Sequence, residues 1–192
     1  MTLRKGELTK NDVTYVYIKS FSDMNPALAN KAVDAAMHIE PLITAGEAMG
    51  ILDRWIDATE WAPGFQIAVV LSSPNFITGR TEVARRFMVA YLKGLRDYYE
   101  AFQNGKDLEA IIQIMTRYTA LKDPQLWRRV RVPGLNPDGY VRVDSIDRQI
   151  GWYREMGYYT GHLTAAQLVD HSLVDFAVRV LGHHPAGEGP GR

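Results

Sequence analysis

The stretch from Asn25 to Pro41 constrains the fold more than any other part of the chain. Asn25-Pro26 predicts a short helix, because Asn caps well and proline at the first helical position gives up no amide hydrogen bond. After Lys31 the pattern switches to Ala32-Val33-Asp34-Ala35-Ala36-Met37-His38-Ile39, a small-apolar run suited to a strand buried on both faces. Glu40-Pro41 then ends the strand and opens the next helix. A helix feeding a buried strand that closes on His and Glu is how α/β proteins build ligand sites, beyond the carboxyl ends of strands.

The flanking segments extend this pattern. Val13-Thr14-Tyr15-Val16-Tyr17-Ile18 is β-branched and aromatic and reads as a strand. Strand, helix, strand implies a right-handed parallel crossover, which brings Asp23, His38 and Glu40 to one sheet edge. Leu3 to Leu8 reads as the tail of a helix closed near Gly6. Pro41 to Gly50 reads as a short helix, Ile51 to Ile56 as a strand, and Asp57 to Gly64 as a turn-rich linker. Phe65-Gln66-Ile67-Ala68-Val69-Val70-Leu71 is a further apolar strand, stopped by Ser72-Ser73-Pro74.

From Thr81 the periodicity becomes helical. Val83, Phe87, Met88, Tyr91, Leu95, Tyr98, Tyr99 and Phe102 recur at three and four, up to a stop at Asn104-Gly105. Leu108 to Tyr118 marks a second helix, Asp123-Pro124 caps a short third, and Pro133 to Gly139 is a loop. Asp144 caps a fourth, which Gly157 stops, and Thr164-Ala165-Ala166-Gln167 is a capping-box match for a fifth. The Gly/Pro-rich end from His183 to Arg192 reads as a flexible tail.

Composition narrows the function classes. Acidic and basic residues balance at 22 each over 192 residues, so no net field points to nucleic acid or an anionic membrane. Cysteine is absent, which removes disulfides, thiolate metal sites and cysteine nucleophiles. No apolar run approaches a membrane span, and Met1 to Glu7 lacks the apolar core of a secretion signal.

Six residues stand out as candidate ligand contacts. His38 and Glu40, at i and i+2 on a strand, share a face and read as polar groups in a cleft, or else as a satisfied core His and a surface Glu. Asp23 is either a helix-entry turn residue or a third polar group at that edge. Trp61, Phe65 and Gln66 border the linker, where aromatics close over a ligand or pack a domain junction. The histidines do not form a metal set: His162 and His171 share no helical face, His183-His184 lie in the tail, and zinc needs three or four convergent ligands. Arg85-Arg86 and Arg128-Arg129-Arg131 read as solvated helix faces. No Gly-x-Ser-x-Gly elbow, phosphate loop or dinucleotide fingerprint is present, so the sequence predicts neither catalysis nor a cofactor.

Several segments, taken in order, resemble one family. Pro26-Ala27-Leu28-Ala29-Asn30-Lys31-Ala32-Val33-Asp34-Ala35-Ala36 followed by His38-Ile39-Glu40-Pro41 is similar to a segment of ABC-transporter solute-binding proteins. The branch is that of nitrate, sulfonate, taurine and thiamine-pyrimidine precursors. Ala62-Pro63-Gly64-Phe65-Gln66, Ser73-Pro74-Asn75-Phe76, Glu82 to Met88, Ala90 to Gly94, Asn136-Pro137-Asp138-Gly139 and Trp152 to Tyr158 continue the likeness over about residues 6–180.

The resemblance implies an α/β, periplasmic-binding-protein-like two-lobed clamp of type II. It would be a non-catalytic protein delivering a small-molecule ligand to an ABC importer permease, with no nucleic-acid partner, in a periplasmic or lipid-anchored setting. Residues 1–58 would form part of the second lobe, 59–66 the hinge, 67–182 part of a mostly helical first lobe, and 183–192 the tail. Glu40 and His38 would face the cleft, with Phe65 and Gln66 near the hinge. The first ~100–130 residues of such a protein have no counterpart here, on ordinary lobe sizes. Either a shortened gene or self-association through unpaired strand edges is then expected. The related thiamine-pyrimidine synthase carries a cysteine-rich iron-binding run that is absent here. A regulator's effector domain of the same class would bring a DNA-binding helix-turn-helix, which is also absent.

Overall fold

In the computed structural model 50% of the chain is helical, and the described residues contain no strand or sheet. The structure describes residue 3, residues 6–132 and residues 134–189, without the side chains of residues 59 and 61. The expected α/β two-lobed clamp is therefore corrected to an all-helical fold. The segments read as strands at 13–18, 32–39, 51–56 and 65–71 lie outside the helices and join no strand ladder among the described residues. Tyr17 is 97% exposed, Trp55 83% and Leu71 88%. The physical reason is that β-propensity measures fit to a pleated, half-buried surface, and no such surface forms around these segments.

The helices are α1 (Met24–Ala29), α2 (Leu42–Ala48), α3 (Ala58–Trp61), α4 (Thr81–Asn104), α5 (Leu108–Tyr118), α6 (Pro124–Trp127), α7 (Val143–Glu155), α8 (Ala165–Leu168) and α9 (Ser172–Leu181). A 3-10 turn, Phe21–Asp23, leads into α1, and a π turn, Asn75–Gly79, precedes α4. The helix tail expected between Leu3 and Leu8 falls partly outside the described residues. Two units are formed: Met1–Pro63 with Glu109–Pro133, and Gly64–Leu108 with Gly134–Arg192. Residues 109–133 thus belong with the first unit, which a single crossing at 59–66 does not anticipate.

The second unit is built on α4 and α9. Ala84, Met88 and Leu92 from α4 meet Leu173, Val174, Ala177 and Val178 from α9, with Tyr140 completing the core. Small residues at 84 and 177 let the two backbones approach, and the apolar stripe at spacing three and four supplies the driving force. Gly105, at φ +75°, ends α4 in the left-handed conformation that glycine adopts freely. At the end of this core Asp138 is fully buried. It takes Arg96 Nη2 at 2.6 Å, His183 Nδ1 at 3.0 Å and the His184 amide at 3.0 Å. The Asn136 side chain donates through Nδ2 to the Glu188 carbonyl and accepts through Oδ1 from the Glu188 amide. Residues 183–189, expected as a loose tail, are held here by these bonds. Gln66 ties its own segment to α7: its amide donates to Ser145 Oγ (2.8 Å), its Oε1 accepts from the Arg142 amide (3.0 Å), and Gln149 Nε2 donates to its carbonyl (3.0 Å).

The first unit has a smaller apolar core. Ile112, Trp127 and Val130 are its buried hydrophobic residues among those described. Asp123 caps α6 by accepting from the Gln125 amide at 2.7 Å, with Pro124 at the first helical position as the sequence predicts. Trp127 Nε1 donates to the Leu121 carbonyl at 3.0 Å. The rest of the unit's interior is polar, and it gathers around α1 and α2.

Candidate functional site

Asn25 is the centre of this interior. The sequence assigns it to the cap of a helix starting at Pro26, but α1 begins one residue earlier, at Met24, and Asn25 is buried within it at 6% exposure. Its Nδ2 donates to the Leu42 carbonyl at 2.9 Å, and its Oδ1 lies 3.1 Å from His38 Nε2. The first bond fixes the orientation of the amide, so Oδ1 must accept and His38 Nε2 must carry the hydrogen. Gly46 allows this approach: a Cβ there would sit 2.9 Å from Asn25 Oδ1 and 2.7 Å from Leu52 Cδ2.

With Nε2 protonated, a neutral His38 presents Nδ1 as a bare acceptor. Burial pushes its pKa below 6.5 and outweighs the opposing pull of the Glu40 carboxylate, so the ring is neutral at pH 7. Nδ1 is buried and has no hydrogen-bond partner. Buried polar atoms are paired in the great majority of cases, so an orphan acceptor calls for an explanation. Phe21 stacks on the imidazole with ring centroids 6.4 Å apart and planes inclined by 12°. Phe21 is itself 48% exposed, which leaves an aromatic face open beside His38.

Glu40 has a different occupation. Its Oε2 accepts from the Thr44 amide at 3.1 Å and from Thr44 Oγ1 at 2.9 Å, while Oε1 receives Arg54 Nη2 at 2.5 Å. Arg54 also reaches Glu47 Oε2 at 3.2 Å. The Glu40 and Arg54 side chains are each 12% exposed. Both oxygens of Glu40 are thus engaged by the chain itself, and they tie the start of α2 to Arg54. Arg54 Nε, like His38 Nδ1, is buried without a partner.

The remaining candidates fall elsewhere. Asp23 precedes α1, is exposed, and makes no capping hydrogen bond through its side chain. Trp61 ends α3, and its side chain lies outside the described residues. Phe65 and Gln66 belong to the second unit, where Gln66 is committed to α7. Asn25, Thr44 and Arg54 are the residues that sequence reasoning misses. The spacing of Glu40 and Thr44, one helical turn apart at the start of α2, is the one local signal that could have found part of the set. Among the described residues no group of three or more His, Cys, Asp or Glu side chains is placed to hold a metal ion. No helix among them is long and apolar enough to cross a membrane. No family model, no curated protein and no solved structure matches the chain.

Proposed function

We propose that this chain is a non-catalytic small-molecule-binding protein whose ligand is held at His38. The observation that carries the reading is the buried, partnerless Nδ1 of a histidine whose tautomer Asn25 fixes. A site built to accept one N–H or O–H discriminates strongly against molecules that lack it. The open face of Phe21 adds a stacking surface, so the favoured ligand is a planar ring bearing an N–H, such as a pyrimidine. Sulfonates and nitrate are disfavoured, because they offer no donor at neutral pH to a bare acceptor near the Glu40 carboxylate. Delivery of the ligand to an importer permease rests on the sequence resemblance, without the clamp architecture that the resemblance implied.

The test is a thermal-shift screen of this chain with pyrimidines, flavins, sulfonates and nitrate. Pyrimidines are expected to raise Tm in proportion to the logarithm of their concentration, and His38→Ala to abolish the rise. Stabilisation by sulfonates or nitrate alone would overturn the reading.

A further inference from the structure

Separate from His38, the second unit holds a histidine whose ring hydrogen is placed by a buried charge. Asp138 is fully buried. Its Oδ1 accepts from Arg96 Nη2 at 2.6 Å and from the His184 amide at 3.0 Å, and its Oδ2 lies 3.0 Å from His183 Nδ1. Burial alone would raise its pKa, but the His184 amide, the His183 ring and Arg96 outweigh it and hold the carboxyl below 3.8. Asp138 is therefore ionised at pH 7 and can only accept. The hydrogen shared with His183 sits on Nδ1, and the neutral ring presents Nε2 as a bare lone pair. The His183 side chain is 71% exposed, and Nε2 has no hydrogen-bond partner among the described residues. His184 is the contrast: its Nε2 lies 2.9 Å from Glu100 Oε1 and its Nδ1 accepts from the Ala186 amide, so both nitrogens are occupied. Gly187 lets the chain fold against the carboxylate, since a Cβ there would collide with Asp138 Oδ2.

We infer that His183 Nε2 is a nucleophilic modification site, which takes the acyl group of an activated ester. An open lone pair on a ring braced from its other nitrogen by a carboxylate is the arrangement that activates histidine. In the step, the Nε2 lone pair attacks the carbonyl carbon and a C–N bond forms. The C–O bond of the ester breaks, and its electron pair leaves with the alkoxide or phenolate. The Nδ1 hydrogen stays on the acylated ring, whose positive charge then lies against the ionised Asp138. A phosphoryl group is disfavoured at the same atom, because its added negative charge would face that carboxylate. Arg96 is a positioning residue: it holds Oδ1, which leaves Oδ2 for the ring.

The experiment treats the full chain with diethyl pyrocarbonate at pH 7 and follows acylation of each histidine over time by mass spectrometry. His162 is exposed and serves as the reference within the same molecule. His183 should react at least about fivefold faster than His162. Asp138→Asn sharpens the test. Arg96 and the His184 amide both donate to Oδ1, so the new amide keeps its oxygen there and turns Nδ2 toward His183. His183 Nδ1 then accepts and the ring hydrogen moves to Nε2. The rate at His183 should fall at least about fivefold, with that of His162 unchanged, and the imidazole nitrogen resonances of His183 should show the exchange of tautomer. Should this variant fail to fold, the rate ratio and the position of the ring hydrogen in the unaltered chain decide alone. Equal rates at His183 and His162, or a hydrogen on Nε2 of His183 in the unaltered chain, would overturn the inference. So would an unchanged His183 rate in a folded Asp138→Asn protein.

Discussion

In the second unit Ala84, Leu92 and Ala177 are sealed from water along the α4–α9 contact, whereas in the first the enclosed side chains around His38 are Asn25, Thr44 and the Glu40–Arg54 pair. An apolar core is non-directional and tolerates small shifts of its members. A polar interior holds only while its donors and acceptors match, and each member left alone is costly. Both units contain such groups: Asn25 and Thr44 are buried in the first, Asp138 and Ser145 in the second. A buried ring nitrogen is left without a partner in each unit, His38 Nδ1 in the first and His171 Nε2 in the second. His38 is the more informative of the two, because Asn25 fixes its tautomer and leaves Nδ1 as a bare acceptor.

The comparison can be broken most forcefully in the second unit. Leu92→Ala deletes a fully buried side chain from the α4–α9 seam and should cost about 3 kcal/mol, read from the urea midpoint at unchanged m. A loss under about 1 kcal/mol would show that the seam is not the core. Glu40→Ala should come next, at about 2 kcal/mol. It strands a largely enclosed Arg54 that keeps Glu47 as a second partner. As a cleft residue alone, Glu40 would instead leave a folded variant with weakened ligand affinity, so urea titration of Glu40→Ala beside a binding measurement separates a structural role from a contact role.

Acid should act on the two units at different pH. The His38 pKa is lowered from 6.5 because burial disfavours its charged form, so the unfolded chain binds the extra proton first. Its contribution is complete above about 6.5 and is lost as the pH falls through the lower folded value. For Asp138, burial alone would raise the pKa. The His184 amide, the His183 ring and Arg96 outweigh it and hold the carboxyl below 3.8. That contribution is complete above about 3.9 and is lost as the pH falls through the folded value, below it. Amide resonances around Asn25 and Thr44 should therefore change at a higher pH than those around Arg96 and His183. Simultaneous loss in both would remove the distinction.

The helical half of the molecule was legible from its sequence, and the reasons are local. The three-and-four spacing from Val83 to Phe102 and the stop at Gly105 give α4 its extent, Asp123-Pro124 places α6, and Thr164 with Gln167 forms the capping box of α8. Helical hydrogen bonds lie within a segment, so the segment's own pattern reports them. The four apolar runs failed as strands because a strand's hydrogen bonds belong to its partner, and nothing in Val13–Ile18 or Phe65–Leu71 says whether a partner exists. His38 was legible as a polar residue ending an apolar run. Its partner Asn25 was hidden behind a plausible capping role next to Pro26. Arg54 lay inside a supposed strand, fourteen residues from the carboxylate it binds.

The most direct test of the account is the protonation state of His38, read from its imidazole nitrogen resonances in labelled protein at pH 7. The account predicts a hydrogen on Nε2, a bare Nδ1, and an upfield movement of the Nδ1 signal when a pyrimidine is added to saturation. A hydrogen on Nδ1, a charged ring, or an Nδ1 signal unmoved by the pyrimidine would contradict it.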